Sequence, residues 1–308
     1  MTDAFRHEAL FYGDDDEYLA GALPFLREGL DEGAAMLVAV GEDKRRLLCE
    51  ALGERRHEVA FADMAALGRN PSCIIPAWRE FARANAGYPL RGIGEPIWPG
   101  RSAEEIVECD RHEALLNLAF EDHPDFWLLC PYDVGGLPGP VLDGARRNHP
   151  HVTRGSASRI SAEYTPPPEE LGPPEALPQP SAGAAEHTFS DDDLALVRTF
   201  VVEHAVRQGV SGDRLADLVL AVNELAANSM RHGGGEGTVR VWREPGTLLC
   251  EVADGGQIDD PLVGRDLPTH ERHGGRGLWI VNHLCDLVQV RSSSRGTVVR
   301  LHMRLFTA

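Results

Sequence analysis

Lysine is almost missing from this chain: Lys44 is the single copy, and arginine supplies the rest of the basic residues. A Walker A phosphate loop needs a lysine after its glycines, so that motif is excluded. A Schiff-base or eukaryotic-kinase lysine would have to be Lys44, in Gly41-Glu-Asp-Lys-Arg-Arg. That position reads as an exposed helix start, which argues against both chemistries. Paired thiols are missing too. The six cysteines (Cys49, Cys73, Cys109, Cys130, Cys250, Cys285) are scattered without a Cys-x-x-Cys pair, and read as small buried apolar residues of a reducing compartment. Cys109-x-x-His112 has the spacing of half a metal site, with no matching second half. Positive charge is scarce, and a net charge of −18 argues against nucleic acid as a direct partner. It also predicts repulsion from anionic membranes. The longest apolar runs, such as Ala34-Ala-Met-Leu-Val-Ala-Val40, are too short to span a bilayer. Met1-Thr-Asp-Ala-Phe-Arg-His-Glu carries no signal-peptide pattern, so a cytoplasmic location is expected.

What is present is an ordinary globular composition over 308 residues, long enough for two domains with separate cores. The stretch from Tyr164 to Glu186 is rich in proline, which denies it both helix and ladder hydrogen bonds and makes it a semi-rigid linker. The expected organisation is a first domain over 1–163, a linker over 164–186 and a second domain over 187–308. In the first, Ala9–Tyr12, Met36–Val40, Glu58–Phe61, Leu90–Ile93 and Phe126–Cys130 read as strands. Glu17–Leu30, Lys44–Leu52, Ile75–Asn85 and Ala103–Phe120 read as helices between them, the last opened by a capping box, Ser102 with Glu105. Strands alternating with helices imply a mostly parallel sheet covered on both faces. Ligands of such sheets sit beyond the strands' carboxyl ends, near Glu95, Trp98, Arg101, Tyr132 and Asp133.

The second domain carries the chemistry. In Leu220-Ala-Val-Asn-Glu-Leu-Ala-Ala-Asn-Ser-Met-Arg-His-Gly233, a helix places Glu224 and Asn228 on one face, while Leu218, Val222 and Leu225 form a separate apolar stripe. An acid beside an amide suits a divalent metal and a proton acceptor. The helix stops at Gly233-Gly-Gly-Glu-Gly237. Leu248–Asp254 reads as a strand delivering a carboxylate into Asp254-Gly-Gly256, where it can accept from an exocyclic amine while glycine lets a flat ring approach. Gly274-Gly-Arg-Gly277 runs into the helix Leu278-Trp-Ile-Val-Asn-His-Leu-Cys285, and a glycine loop opening a helix offers N–H groups to phosphate. Gly296–Leu305 alternates as a half-buried strand. Upstream, Asp191–Glu203 reads as a helix with Ser190 as its N-cap.

In this order the set resembles the ATP-binding domain shared by histidine kinases, gyrase and Hsp90 (the GHKL or Bergerat α/β sandwich). Its wording is nearer to the anti-sigma-factor serine kinases of the RsbW and SpoIIAB type, over Phe189–Leu305. The resemblance implies that Glu224 is the general base for an attacking serine hydroxyl and that Asn228 ligates Mg²⁺. It implies that Asp254 reads the adenine amine, with Gly256 beside the ring and Thr297 near the adenine or its bridging water. Gly275 and Gly277 would hold the phosphates of ATP, in a binding stretch that includes Arg276 and Leu278. Arg198 lies near a position where the family contacts its sigma factor; a solvated arginine is the equal alternative. The lid, Gln257–His273, is short.

His7–Tyr12, Gly92–Trp98 and Cys109–Asn117 resemble the MEDS sensory domain, over roughly residues 5–160, an α/β fold without a P-loop. That resemblance implies sensing of a small organic signal or of a protein partner; His7, Glu95 and His112 are either functional or satisfied polar core. Together the expectation is an α/β protein: a mostly parallel sensor followed by an α/β-sandwich ATP-binding domain. It would sequester a sigma factor and phosphorylate a serine on a STAS-type anti-anti-sigma antagonist. The family's modules often pair as homodimers. Two rivals stay open: an atypical histidine kinase with His112 as phospho-acceptor, and a non-catalytic module that uses ATP only to grip a partner.

Overall fold

Apolar residues recur along this chain with the periods of strands and of helices, and the secondary structure follows them. In the computed structural model, residues 5–155, 157–166, 176–181, 183–266 and 275–305 are described. They divide into two compact units, Met1–Pro168 and Glu169–Ala308.

The first unit is built on β1 (Arg6–Tyr12), β2 (Ala35–Val40), β3 (Ala60–Asp63), β4 (Leu90–Gly94), β5 (Phe126–Asp133), β6 (His151–Arg154) and β7 (Ala157–Ile160). Among the described residues these form one sheet in the order β3-β2-β4-β5-β1-β6-β7. Every pairing from β3 through β6 is parallel, and only β6 with β7 is antiparallel. Helices α1 (Asp15–Asp31), α2 (Glu42–Leu52), α3 (Met64–Leu67), α4 (Ile74–Ala84), α5 (Ala103–Ala119) and α6 (Gly139–Asn148) connect the strands. As expected of a sheet covered on both faces, β1 and β5 are buried along almost their whole length. Leu10, Tyr12, Val38 and Leu129 pack with Tyr18, Phe25 and Leu26 in one core. The capping box is formed: Ser102 Oγ accepts from Glu105 N–H, and the Glu105 carboxylate accepts from Ser102 N–H.

Lys44 departs from expectation. It does stand in the first turn of α2, but it is not exposed: its ammonium lies 4.5 Å and 4.6 Å from the ring centres of Tyr12 and Tyr18 and donates to Asp15 Oδ1 at 2.7 Å. Its aliphatic stem is covered while the charge finds a carboxylate and two π faces. Glu58 also differs, closing a 3₁₀ turn over Gly53–Glu58 before β3 begins at Ala60.

The second unit holds β8 (Ala185–Ser190), β9 (Glu236–Glu244), β10 (Thr247–Asp254), β11 (Leu287–Ser293) and β12 (Gly296–Arg304). They form an antiparallel sheet in the order β11-β12-β10-β9-β8. Helices α7 (Leu194–Arg207), α8 (Gly212–His232) and α9 (Arg276–Leu284) bury their apolar stripes on it. Leu218, Val222 and Leu225 are buried with Leu248, Cys250 and Val252 of β10, the strand whose alternate residues face the helices.

Two expectations need correcting here. Helix α7 starts at Leu194, capped at Asp193 rather than Ser190, because Asp192 adopts φ 76° and breaks the helical run. The Asp193 carboxylate instead accepts from the N–H and hydroxyl of Ser190. Strand β8 begins at Ala185, so the last residues read as linker belong to the sheet, paired with β9. Residues 167–175 and 182 of that linker, residues 267–273 of the lid and Gly274 lie outside the described residues.

Candidate functional site

The ends of α8, β10, α9 and β12 converge on a cleft of about 820 Å³ in the second unit. Glu224, Asn228, Asp254, Gly256, Gly275, Arg276, Gly277, Leu278 and Thr297 all line it. Arg198 does not; its guanidinium donates to Asn223 Oδ1 at 2.8 Å on an exposed face.

Helix α8 sets the acid and the amide. Their spacing puts both on one side of the helix, away from the stripe packed on the sheet. Helix α9 begins directly opposite. A Cβ added to Gly277 would sit 3.0 Å from both Glu224 Oε2 and Asn228 Nδ2, so the glycine lets the first turn of α9 close on the pair. Gly275, the N-cap, has φ 80°, a conformation that side chains disfavour. First-turn N–H groups have no intrahelical acceptors, so this end of α9 presents donors and a positive dipole toward the acid–amide pair. Asn228 Oδ1 also accepts from exposed Arg231 at 3.1 Å.

At the other end of the cleft, Asp254 closes β10 opposite Thr297 on β12 and Gly237 on β9. Its carboxylate is fixed on both oxygens: Oδ1 accepts from Gly256 N–H at 2.8 Å and Oδ2 from Ser229 Oγ–H at 2.6 Å. Thr297 Oγ1 donates to the Gly256 carbonyl at 2.8 Å and shares a 2.7 Å hydrogen bond with Ser292 Oγ. Gly256 is confined by backbone, since a Cβ there would lie 2.6 Å from the His232 carbonyl oxygen. Between these polar ends the wall is apolar, with Leu225, Val252, Ile258, Val263 and Val299. A cleft with a carboxylate at one end, an apolar waist and a helix N-terminus at the other suits a flat polar ring joined to phosphates.

Sequence reasoning missed Ser229 and Ser292. Ser229 falls one residue after Asn228, which turns it toward the sheet, and it is buried. A small hydroxyl on the inner edge of the helix was the available signal; Ser292 carried none.

In the first unit, Glu95 follows β4 and is buried. Tyr12 Oη–H donates to its Oε1 at 2.7 Å. Burial pushes the Glu95 carboxyl up to about 7, against the opposing pull of the Tyr12 hydrogen bond and Lys44. Arg101 stacks on Trp98 at 3.8 Å while donating to the Pro96 and Gly68 carbonyls. His112 is 1% exposed on α5, and Cys109 beside it donates its thiol to the Pro96 carbonyl at 3.4 Å. His7 is buried against Glu113 and Asn117. Among the described residues, no helix is long and apolar enough to cross a membrane.

Comparison with known proteins divides along the same two units. Residues 6–150 match the MEDS family, the methanogen/methylotroph, DcmR sensory domain. Residues 188–303 match the histidine kinase-like ATPase domain. No curated protein is similar enough to count as a match. Among solved structures, the chain is similar to the RsbU and RsbW domains of Rv1364c from Mycobacterium tuberculosis, at 20% identity and a TM-score of 0.31. That alignment covers 39% of this chain and 32% of the other, so this chain spans about a third of that structure. It is also similar to the Acinetobacter baumannii histidine kinase AdeS, at 11% identity and a TM-score of 0.24, over 40% of this chain and 68% of AdeS.

Proposed function

The chain joins a MEDS domain to a histidine kinase-like ATPase domain, and from that premise we propose that it is a partner-switching anti-sigma regulator. It binds ATP with Mg²⁺, sequesters a sigma factor and phosphorylates a serine on a STAS-type antagonist. The first domain biases that exchange in response to a small organic signal. The observation that carries the reading is that Glu224, Asn228, Asp254, Gly256, Gly275–Leu278 and Thr297 meet around one cleft.

Phosphoryl transfer asks mainly for positioning, charge neutralisation and one base. Asp254, locked by Ser229 and Gly256, accepts from the adenine amine, and Thr297 orders the Gly256 carbonyl beside it. The N–H groups at the start of α9 take the phosphates. Mg²⁺, when bound, neutralises phosphate charge; Asn228 offers an oxygen to it once exposed Arg231 releases that atom. Glu224, next to Gly277, takes the proton of the attacking serine.

The histidine-kinase alternative is weakened by the burial of His112, whose ring faces the interior of the first unit. The test is purified protein with Mg²⁺ and γ-labelled ATP, with and without host lysate. Acid-stable label on a small second protein, lost in Glu224→Ala, is the expected result. Acid-labile label on the chain itself would support a histidine kinase. ATP binding with no transfer would leave a nucleotide-gated sequestering module.

A further inference from the structure

Four side chains that could each hold a metal meet in the interior of the first unit, far along the sequence from one another. His7 opens β1. Cys130 lies on the adjacent strand β5, level with Ala9 and so on the face that His7 shares. Glu113 comes from α5, and His149 directly follows α6. One donor atom from each lies within 4.8 Å of the other three. Glu113 Oε2 is 3.1 Å from His7 Nε2 and 3.0 Å from His149 Nε2, and Cys130 Sγ is 3.4 Å from His7 Nε2. All four side chains are essentially without solvent contact.

The outer hydrogen bonds fix how the rings are turned. Asn117 Nδ2 donates to the Ala114 and Asn148 carbonyls, which leaves its Oδ1 to accept from His7 Nδ1–H at 3.2 Å. His149 Nδ1–H donates to the Ala145 carbonyl at 2.7 Å. Both Nε2 atoms therefore turn inward, and in neutral rings both present lone pairs to the same carboxylate oxygen. His149 Nε2 and Glu113 Oε1 make no well-directed hydrogen bond despite complete burial. Lone pairs converging on a buried carboxylate repel unless a cation lies among them. Histidines that bind metals show this arrangement: the far N–H is held by a carbonyl, and the near nitrogen is aimed at the ion.

We propose that His7, Glu113, Cys130 and His149 form a closed, four-coordinate site for a zinc-class divalent cation. Bond lengths typical of zinc place ligand atoms about 3.3–3.6 Å apart around a tetrahedron; the three contacts above span 3.0–3.4 Å, and all four donors lie within 4.8 Å of one another. Two neutral imidazoles, a carboxylate and a thiolate balance a divalent charge in a dry interior. Nitrogen and sulfur donors select zinc over magnesium or calcium. On binding, the Cys130 S–H bond breaks, its proton leaves to solvent, and the sulfur–metal bond forms. With every position filled by protein, the site is structural, tying β1, β5, α5 and the α6–β6 junction together.

The test uses the full chain, made without a histidine tag, assayed for metal by mass spectrometry and then prepared with Co²⁺ in place of Zn²⁺. The expected result is one equivalent per chain, with tetrahedral d–d bands and a thiolate-to-cobalt charge-transfer band. Cys130→Ser loses the charge-transfer band. Asn117→Ala, which keeps all four ligands, weakens Co²⁺ binding by about 10–100-fold. Wild-type protein that folds yet takes up no equivalent of Zn²⁺ or Co²⁺ overturns the proposal. So does a cobalt spectrum that Cys130→Ser and His149→Gln leave unchanged; if those variants fail to fold, the wild-type spectrum and Asn117→Ala still decide.

Discussion

Ser229→Ala removes one hydroxyl, buried on the inner edge of α8, and tests whether Asp254 must be held to bind nucleotide. The hydroxyl donates to Asp254 Oδ2 at 2.6 Å, and hydrogen bonds to charged groups contribute about 1.5–3 kcal/mol. Asp254 is only half-buried, so water will partly replace the lost donor. The lower end applies: about 1.5 kcal/mol, or a little over tenfold weaker binding. Oδ1 stays fixed by Gly256 N–H, which keeps the loss from being larger. Isothermal titration with a non-hydrolysable ATP analogue and Mg²⁺ measures it, with thermal melts confirming an intact fold. In an Asp254→Asn background the same serine change should cost less, giving a coupling of about 1 kcal/mol between the two positions. If Ser229→Ala leaves Kd within about twofold, or if the two changes add without coupling, the proposed role of a pre-positioned Asp254 is wrong.

Glu95 gives a pH signature. Its folded-state carboxyl is raised to about 7 from 4.5, so between those values the native chain holds a proton that the unfolded chain has lost. Its contribution to stability is therefore present at low pH and declines as pH rises through that window. Relative to Glu95→Gln, which keeps the acceptor for Tyr12, wild type should lose about 1–3 kcal/mol between about pH 5 and 8 in urea titrations. The groups facing it, Tyr12, Lys44 and Asp133, are the same in both proteins. Arg300 makes two hydrogen bonds to one oxygen of buried Glu251, whose other oxygen accepts from Arg240; Arg300→Met should cost about 1.5–3 kcal/mol, because the charge-assisted bonds are lost while Arg240 still compensates the carboxylate, and Glu251→Gln with Arg300→Met should recover part of it. Gly256→Ala drives a methyl into the His232 carbonyl and should weaken nucleotide binding by about tenfold or more, since the obstruction is backbone that cannot rotate away.

Much of the cleft's geometry was legible because the residues that line it fall in short local patterns. Glu224 and Asn228 are one helical turn apart, Gly275–Leu278 sits at a helix start, and Asp254 ends an alternating strand. Each implies its own local placement. The first five parallel strands were legible for the same reason, as apolar runs bounded by turns. What was not legible depended on tertiary partners. Strand β7 is almost wholly exposed, so no burial period marks it, and β8 follows directly on a proline-rich stretch that masks it. Helix α7 starts late because Asp192 takes a left-handed conformation, which no composition rule anticipates. Lys44 looked solvated because the two tyrosines that cover it come from different elements. The interior cluster was the least visible of all. Cys109-x-x-His112 drew the eye by spacing, whereas the four donors that actually meet come from two strands, a helix and a loop.

The packing of Lys44 makes it a spectroscopic handle. Since the chain has one lysine, reductive methylation with carbon-13 formaldehyde would place a labelled dimethylamine on a single side chain, apart from the α-amino terminus. That group would lie over two tyrosine rings, whose ring currents should move its NMR signal upfield of a solvated lysine. One of those rings belongs to the tyrosine bonded to Glu95. A single resonance would thus listen at the carboxyl ends of β1 and β4, where ligands of parallel sheets settle. Small organic compounds could then be screened against that one peak before anything is known of their effect on the kinase-like half.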